Sequence, residues 1–270
     1  MRMNILDHTI LERIARPLPM SHKGQNGRLL IIAGSDTFHG ALVLTVEAAS
    51  RLVDMVYVHS TKENLKLIQK LRQNIATFIA VSAKKLWEVI ELVDVIAMGP
   101  GLPEDEQTIA LVHDILEKYP NKKIIVDATA LWHVEPGYLH KNCILTPHSR
   151  EFENVFHCDA TKENVQKMAQ QYACTIVLTG ATDYISDGAV LFANTTGNVG
   201  MTKGGTGDVL VGLIAGLYTV NETLVSALAG TYLNGFAGDR LHQRVGTFFN
   251  AEDLIQEAGR VWGEQEGGKG

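Results

Sequence analysis

The sequence predicts an α/β fold: a mostly parallel sheet with helices on both faces. Three observations carry this. Short apolar runs alternate with segments of helical periodicity almost from end to end. Glycine, proline, aspartate, threonine and histidine gather just after several of the apolar runs, where open α/β sheets bind ligands. The chain has 270 residues, 46% of them apolar, enough to bury a full core without disulfide or metal staples.

The elements follow in order. Residues 28–33 form an apolar run that ends at Gly34 and reads as a buried strand. Residues 40–53 are apolar around most of a helix, with Glu47, Ser50, Arg51 and Asp54 on one wet stripe. Residues 55–58 are the next strand, and 62–73 an amphipathic helix with Leu65, Ile68 and Leu71 on one side. Strands at 76–81 and 94–98 flank a helix at 86–92; a helix at 106–119 turns Ile109, Val112 and Leu116 inward. Short buried strands follow at 123–126, 143–145 and 175–178, and Thr161 caps a helix reaching residue 172. Asp187-Gly188 between apolar runs marks a β-hairpin over 184–193. Helices at 206–217, 223–244 and 250–262 complete the chain. With neither a repeat nor a linker, residues 1–270 read as a single domain with a frayed tail at 263–270.

Composition narrows the function. The net charge of -6, with both signs interleaved, argues against a nucleic-acid binder. Three cysteines, Cys143, Cys158 and Cys174, lack metal or redox spacing and read as buried small residues in a reducing compartment. The N-terminus has no secretory pattern, and residues 209–220 are too short to span a bilayer, so the expectation is a cytoplasmic protein with no membrane partner. No His, Cys, Asp and Glu set has zinc spacing.

Loops after the predicted strands carry the unusual residues: Gly34-Ser35-Asp36-Thr37-Phe38-His39-Gly40-Ala41, Gly99-Pro100-Gly101, Asp127, Thr146-Pro147-His148, and Thr179-Gly180-Ala181-Thr182-Asp183. One such loop is ordinary strand punctuation; five together point to a cleft. His148 follows a strand and a proline and is expected to face it. His39 lies in the first glycine loop and His22 in Ser21-His22-Lys23-Gly24. The sharpest feature is Lys203-Gly204-Gly205-Thr206-Gly207-Asp208 before an apolar helix. Glycines let backbone N–H groups close on an anion, and the helix start adds partial positive charge. Asp208 in the first turn has two readings: a favourable helix-start acid, or a base beside a phosphate cradle. The loop is not a Walker A motif, and Gly34 to Gly40 lacks the Rossmann spacing.

Gly204-Gly205-Thr206-Gly207-Asp208-Val209-Leu210 resembles the signature of the ribokinase-like superfamily. A longer ordered set narrows the resemblance: Ser21-His22-Lys23-Gly24, Gly27-Arg28, Gly34-Ser35, Gly99-Pro100-Gly101-Leu102, Val126-Asp127-Ala128, Leu145-Thr146-Pro147-His148 with Glu151-Phe152, and Gly200-Met201. Together these resemble the ADP/ATP-dependent NAD(P)H-hydrate dehydratase family, over roughly residues 10 to 260.

The resemblance implies a three-layer α/β/α ribokinase-like fold, in the stand-alone form without a fused epimerase domain. It implies dehydration of the (S) hydrate of NADH or NADPH with ADP, or else ATP, and Mg²⁺ held mainly through nucleotide and water. NAD(P)H-hydrate epimerase is the implied functional partner, and a homo-oligomer the implied assembly. Carried over by position, Asp208 is base and hydrate contact. Ala41, Gly101 and His148 lie at the hydrate. Thr179, Gly180, Ala181, Thr182, Asp183, Gly204, Gly205, Thr206 and Gly207 lie at the nucleotide. The family often opens its nucleotide loop with Lys-Gly; Thr179-Gly180 here removes one possible cation. The rival readings are a ribokinase-like small-molecule kinase, whose product would be a stable phosphate ester, and a catalytically silent nucleotide sensor.

Overall fold

A computed structural model describes residues 3–71 and 76–267. Ten strands form one sheet: β1 (Met3–Ile5), β2 (Arg28–Ile32), β3 (Met55–His59), β4 (Phe78–Ala80), β5 (Val95–Met98), β6 (Lys123–Val126), β7 (Cys143–Leu145), β8 (Thr175–Leu178), β9 (Asp183–Ser186) and β10 (Leu191–Asn194). Their order is β1-β10-β9-β8-β7-β6-β5-β2-β3-β4. Strands β2 through β8 run parallel; β9 is antiparallel to both neighbours, and β1 runs parallel to β10. The hairpin sits where Asp187-Gly188 places it, with the Asp187 carboxylate accepting from the N–H groups of Ala189 and Val190 at 3.0 Å each.

The helices are α1 (His39–Ala49), α2 (Lys62–Leu71), α3 (Leu86–Leu92), α4 (Glu106–Lys118), α5 (Ala128–Leu131), α6 (Ser149–Phe156), α7 (Lys162–Gln171), α8 (Thr206–Tyr218), α9 (Thr223–Val245) and α10 (Ala251–Gly267). Strand side chains alternate between the two sheet faces. Leu29, Ile31, Val95, Ala97, Ile125, Ile144 and Val177 join the core under α1, α8, α9 and α10. Leu30, Ile32, Ile96, Met98, Val126, Leu145 and Ile176 join the other core, under α3, α4, α6 and α7. Both strand faces are apolar because both are covered.

Helices α1 and α8 meet at backbone distance. A methyl group placed on Gly212 would lie 2.6 Å from the Thr45 carbonyl oxygen and 2.8 Å from Ala48 Cβ, and one on Gly216 2.8 Å from Leu52 Cβ. Beyond α8, the chain turns at Asn221, and Lys123 caps the helix by donating to the carbonyls of Tyr218 and Asn221, both at 2.9 Å.

Several boundaries differ from the sequence reading. Helix α1 stops at Ala49, short of residue 53, because Leu52 N–H bonds back to Ala49 in a tight turn into β3. Strand β5 begins one residue after Asp94, whose carboxylate accepts from Arg28 N–H at 2.8 Å. The expected strand at 76–81 shortens to Phe78–Ala80, and residues 72–73 of the expected 62–73 helix lie outside the described residues. The expected frayed tail does not begin at 263: α10 continues to Gly267, and Arg240 holds Glu264 at 2.5 Å. Residues 268–270 lie outside the described residues. Cys143 and Cys174 are buried as expected; Cys158 is half-buried. Strand β1 and helices α5 and α6 have no counterpart in the sequence reading.

Candidate active site

The chain leaves β2 toward β3 on one side and β5 toward β6 on the other, so the crevice of an open parallel sheet falls between β2 and β5. The two loops there are tied directly: Gly34 N–H donates to the Pro100 carbonyl at 2.7 Å. Gly101 has φ +64°, and a Cβ on it would stand 2.9 Å from Ala41 Cβ and 2.8 Å from the Phe38 carbonyl oxygen. Only a glycine lets these loops approach so closely. Ala41 and Gly101, both expected at the hydrate, are therefore neighbours.

Asp208 reaches the same place from α8. Gly205, at φ +97°, caps that helix in the left-handed region. A side chain there would strike Leu44 and Ala251 at 2.5 and 2.9 Å. The sites of a Cβ on Gly204 and Gly207 meet nothing within 4 Å, so their outer faces stay open. The helix-start N–H groups can thus be approached by an anion. Asp208 lies in the first turn, half-buried, and Thr45 joins it to Ala41: one hydroxyl donates within hydrogen-bond distance of both carbonyls, 2.9 Å from Ala41 O and 3.2 Å from Asp208 O. Burial raises the Asp208 carboxyl to about 6. A lone helix-start acid gains from staying ionised; this one is held near the pKa suited to a base.

Asp127 lies close enough to feel the charge of both Asp208 and Glu151, and the sequence reading gave neither Asp127 nor Glu151 a role. Asp127 ends β6 and accepts the Thr146 hydroxyl at 2.7 Å. It is pushed up to about 8 by burial, with Glu151 and Asp208 adding charge repulsion against the Thr146 hydrogen bond. The residue after it, Ala128, sits at φ 45°, a strained position for a non-glycine residue. Glu151 is buried, and burial raises its pKa although the His148 N–H lowers it. The signals for both were present: Asp127 follows a strand, and Glu151 stands three residues after His148 at capping-box spacing.

His148 caps α6. Its Nδ1 accepts from Glu151 N–H at 3.2 Å while its own N–H donates to Glu151 Oε2 at 2.9 Å. The ring is half open to solvent, so the histidine holds the turn and also faces outward. Strand β7 and strand β8 carry the next loop alongside: Thr179 N–H donates to the Pro147 carbonyl at 2.9 Å.

The loop Thr179 to Asp183 is braced internally. Gly180 N–H donates to Asp183 Oδ1, and Asn194 donates to Oδ2, both at 3.0 Å. Ala181 is exposed and Thr182 half-buried. The Thr206 hydroxyl turns inward to the Met201 and Lys203 carbonyls at 2.7 and 3.0 Å. Lys203 donates to the Thr247 and Phe249 carbonyls, so its charge secures the loop before α10. His22 does not join these residues: its segment is gathered by the Asp54 carboxylate at the start of β3, the opposite edge of the sheet.

A three-layer fold with a glycine–aspartate helix start at the carboxyl edge of its sheet defines the ribokinase-like class, and solved neighbours include a ribokinase-like protein. More narrowly, the sequence pattern of the NAD(P)H-hydrate dehydratase family matches residues 29–260, and the chain belongs to that family. It is 38% identical over 251 residues to a bifunctional NAD(P)H-hydrate repair enzyme of Methanocaldococcus jannaschii, covering 89% of this chain and 49% of that protein. The chain thus spans about half the length of that relative. It is 32% identical over 260 residues to the ADP-dependent (S)-NAD(P)H-hydrate dehydratase of Nitrosopumilus maritimus, covering 89% of this chain and 90% of that one. The crystal structure of the Bacillus subtilis ADP/ATP-dependent NAD(P)H-hydrate dehydratase, co-crystallised with ATP and Mg²⁺, superposes with a TM-score of 0.83 at 25% identity, covering 98% of this chain and 99% of that one.

Proposed function

We propose that the chain dehydrates the (S) hydrate of NADH or NADPH at the expense of ADP, with Asp208 as the base. The observation that carries this reading is the junction of Asp208 with Ala41 through Thr45, beside the open glycine helix start. It supports a reading in which Asp208, with its raised pKa, serves a cleft lined by Ala41 and an anion held at the helix start.

Hydroxide is a poor leaving group, and phosphorylation converts the hydrate hydroxyl into a good one. Asp208 takes the hydroxyl proton as the oxygen attacks the terminal phosphorus of ADP, and AMP departs. The ring nitrogen then expels phosphate, and loss of a proton from the adjacent carbon restores the dihydronicotinamide. Gly204, Gly205, Thr206 and Gly207 would stabilise the transferring phosphoryl through backbone N–H groups. Thr179, Gly180, Ala181, Thr182 and Asp183 would flank the nucleotide, with Asp183 bracing the loop through Gly180. Ala41, Gly101 and His148 would line the hydrate side.

Mg²⁺ fits this set of groups. Among the described residues no group of three or more His, Cys, Asp or Glu is arranged to ligate a metal directly. It would instead be held mainly through nucleotide oxygens and water, as the family resemblance implies. The ion would neutralise charge on the phosphoryl oxygens.

The longer relative's bifunctional name supports pairing with an epimerase activity. Among the described residues no helix is long and apolar enough to cross a membrane. Cytoplasmic location, a homo-oligomer and a single catalytic domain complete the reading, the first supported by cysteine usage and the last by the continuous sheet.

The experiment is recovery of reduced-cofactor absorbance from prepared hydrate, run in parallel with ADP and ATP. Recovery with release of phosphate is expected with ADP. A stable phosphate ester would favour the small-molecule kinase, and turnover with ATP alone would overturn the choice of ADP.

A further inference from the structure

We infer that Ser60 and Asn64, both buried behind the cleft, are positioning residues that fix the Gly34 to Ala41 loop for the hydrate. The inference rests on the reading of that loop given above. Gly34 holds the two halves of the crevice: its N–H bonds to Pro100 O at 2.7 Å, and its carbonyl accepts the Ser60 hydroxyl at 3.0 Å. Asn64, fully buried on α2, donates its amide to Ser60 Oγ at 2.7 Å. Since Ser60 spends its proton on Gly34, it must accept from Asn64. A second strap runs alongside, from the Thr61 hydroxyl to Asp36 at 2.8 Å. The start of α2 therefore grips the loop at two points and reaches Pro100, beside Gly101, through Gly34.

The grip has a cost. Asn64 Oδ1 is buried and meets no donor among the described residues. An orphaned buried acceptor destabilises a fold, and an apolar side chain of the same shape would remove the penalty. A Cβ on Gly34 would sit 2.2 Å from Asn64 Nδ2, so the amide is packed against the loop backbone itself. The asparagine is poor for stability and well placed for holding the loop.

The test compares Asn64→Leu, Ser60→Ala and Ser60→Thr with the unmodified chain. Steady-state kinetics, thermal midpoint and amide exchange over residues 34–41 are measured on each. The loss of one strap should raise KM for the hydrate about 3–10-fold in Asn64→Leu and Ser60→Ala, the range of one hydrogen bond. The kcat and the KM for ADP should hold, loop amides should exchange faster, and Asn64→Leu should melt no lower than the unmodified chain. Ser60→Thr, which keeps the hydroxyl, should return KM toward its starting value. An unchanged KM for the hydrate, or a rise shared by both substrates with a lowered melting point, would overturn the inference. If the unmodified chain fails to restore reduced cofactor, the proposed function fails. Loop exchange then still decides this point: unchanged exchange in both variants sinks it.

Discussion

Thr45 on α1 and Asp208 on α8 are joined by a hydrogen bond from the threonine hydroxyl to the aspartate carbonyl, 3.2 Å long. The same hydroxyl lies 2.9 Å from Ala41 O. The backbone that would line the hydrate and the backbone that would present the base therefore share one donor. The Asp208 carboxylate itself is left free of that bond for chemistry.

Asp208→Asn keeps the shape and the helix start but cannot take a proton. Turnover should fall by about 10²–10⁴-fold, with nucleotide affinity retained. A helix-start acid alone would instead show near-normal turnover and a stability loss on the order of 0.3–1 kcal/mol. Turnover, nucleotide titration and melting on one preparation separate the two.

The raised Asp208 pKa sets a pH profile. If Asp208 is the base it must be ionised, so kcat/KM for the hydrate should drop as pH falls through about 6. Asp208→Asn should lack that limb in its residual rate. A profile flat down to about pH 5 would contradict a base with this environment.

Asp127 gives a stability signature. Its folded pKa of about 8 stands above its ordinary 3.8, so between these values only the folded chain holds the proton. The contribution is complete below 3.8 and is lost as pH rises through about 8. Asp127→Asn cannot ionise. Its melting point relative to the unmodified chain should therefore climb with pH and level off above about 8, in magnesium-free buffer. A difference independent of pH would count against a carboxylate crowded by Glu151 and Asp208.

His148 has two jobs to separate. His148→Ala removes the α6 cap and should cost about 0.5–2 kcal/mol of stability. His148→Asn supplies another good capping residue and should recover that stability. If the ring contacts the hydrate, KM for the hydrate rises in both variants, with nucleotide affinity unchanged. Recovery of KM by asparagine would reduce His148 to a cap.

Much of the fold was legible because it is local. Strands β6, β7 and β8 lie where their apolar runs end, since a buried parallel strand needs nothing beyond that run. Strand β1 was hidden because Met3–Ile5 is a strand only by pairing with β10, which is distant in sequence. Helix α6 was hidden because its cap is a histidine after a proline, an uncommon start. At the candidate site, the glycines before Asp208 stood out by their spacing, and the family resemblance gave Asp208 its expected role. The nearness of Asp127 to both Asp208 and Glu151 was not legible, because separate elements carry the three residues. Likewise, the cap on His148 and the brace on Asp183 depend on partners that only the folded chain supplies.

The contact of α1 and α8 through Gly212 and Gly216 has a mechanical meaning. Backbone oxygens of α1 stand against both glycines, with Ala48 and Leu52 filling the remaining space, so an added side chain has no room to enter. If the two helices carry the hydrate loop and the base, the span between them is a machined dimension. An added methyl at Gly212 would then act as a shim, moving the base away from the loop it would serve. Redesign toward another alcohol would leave these two helices alone and work on the loops they carry.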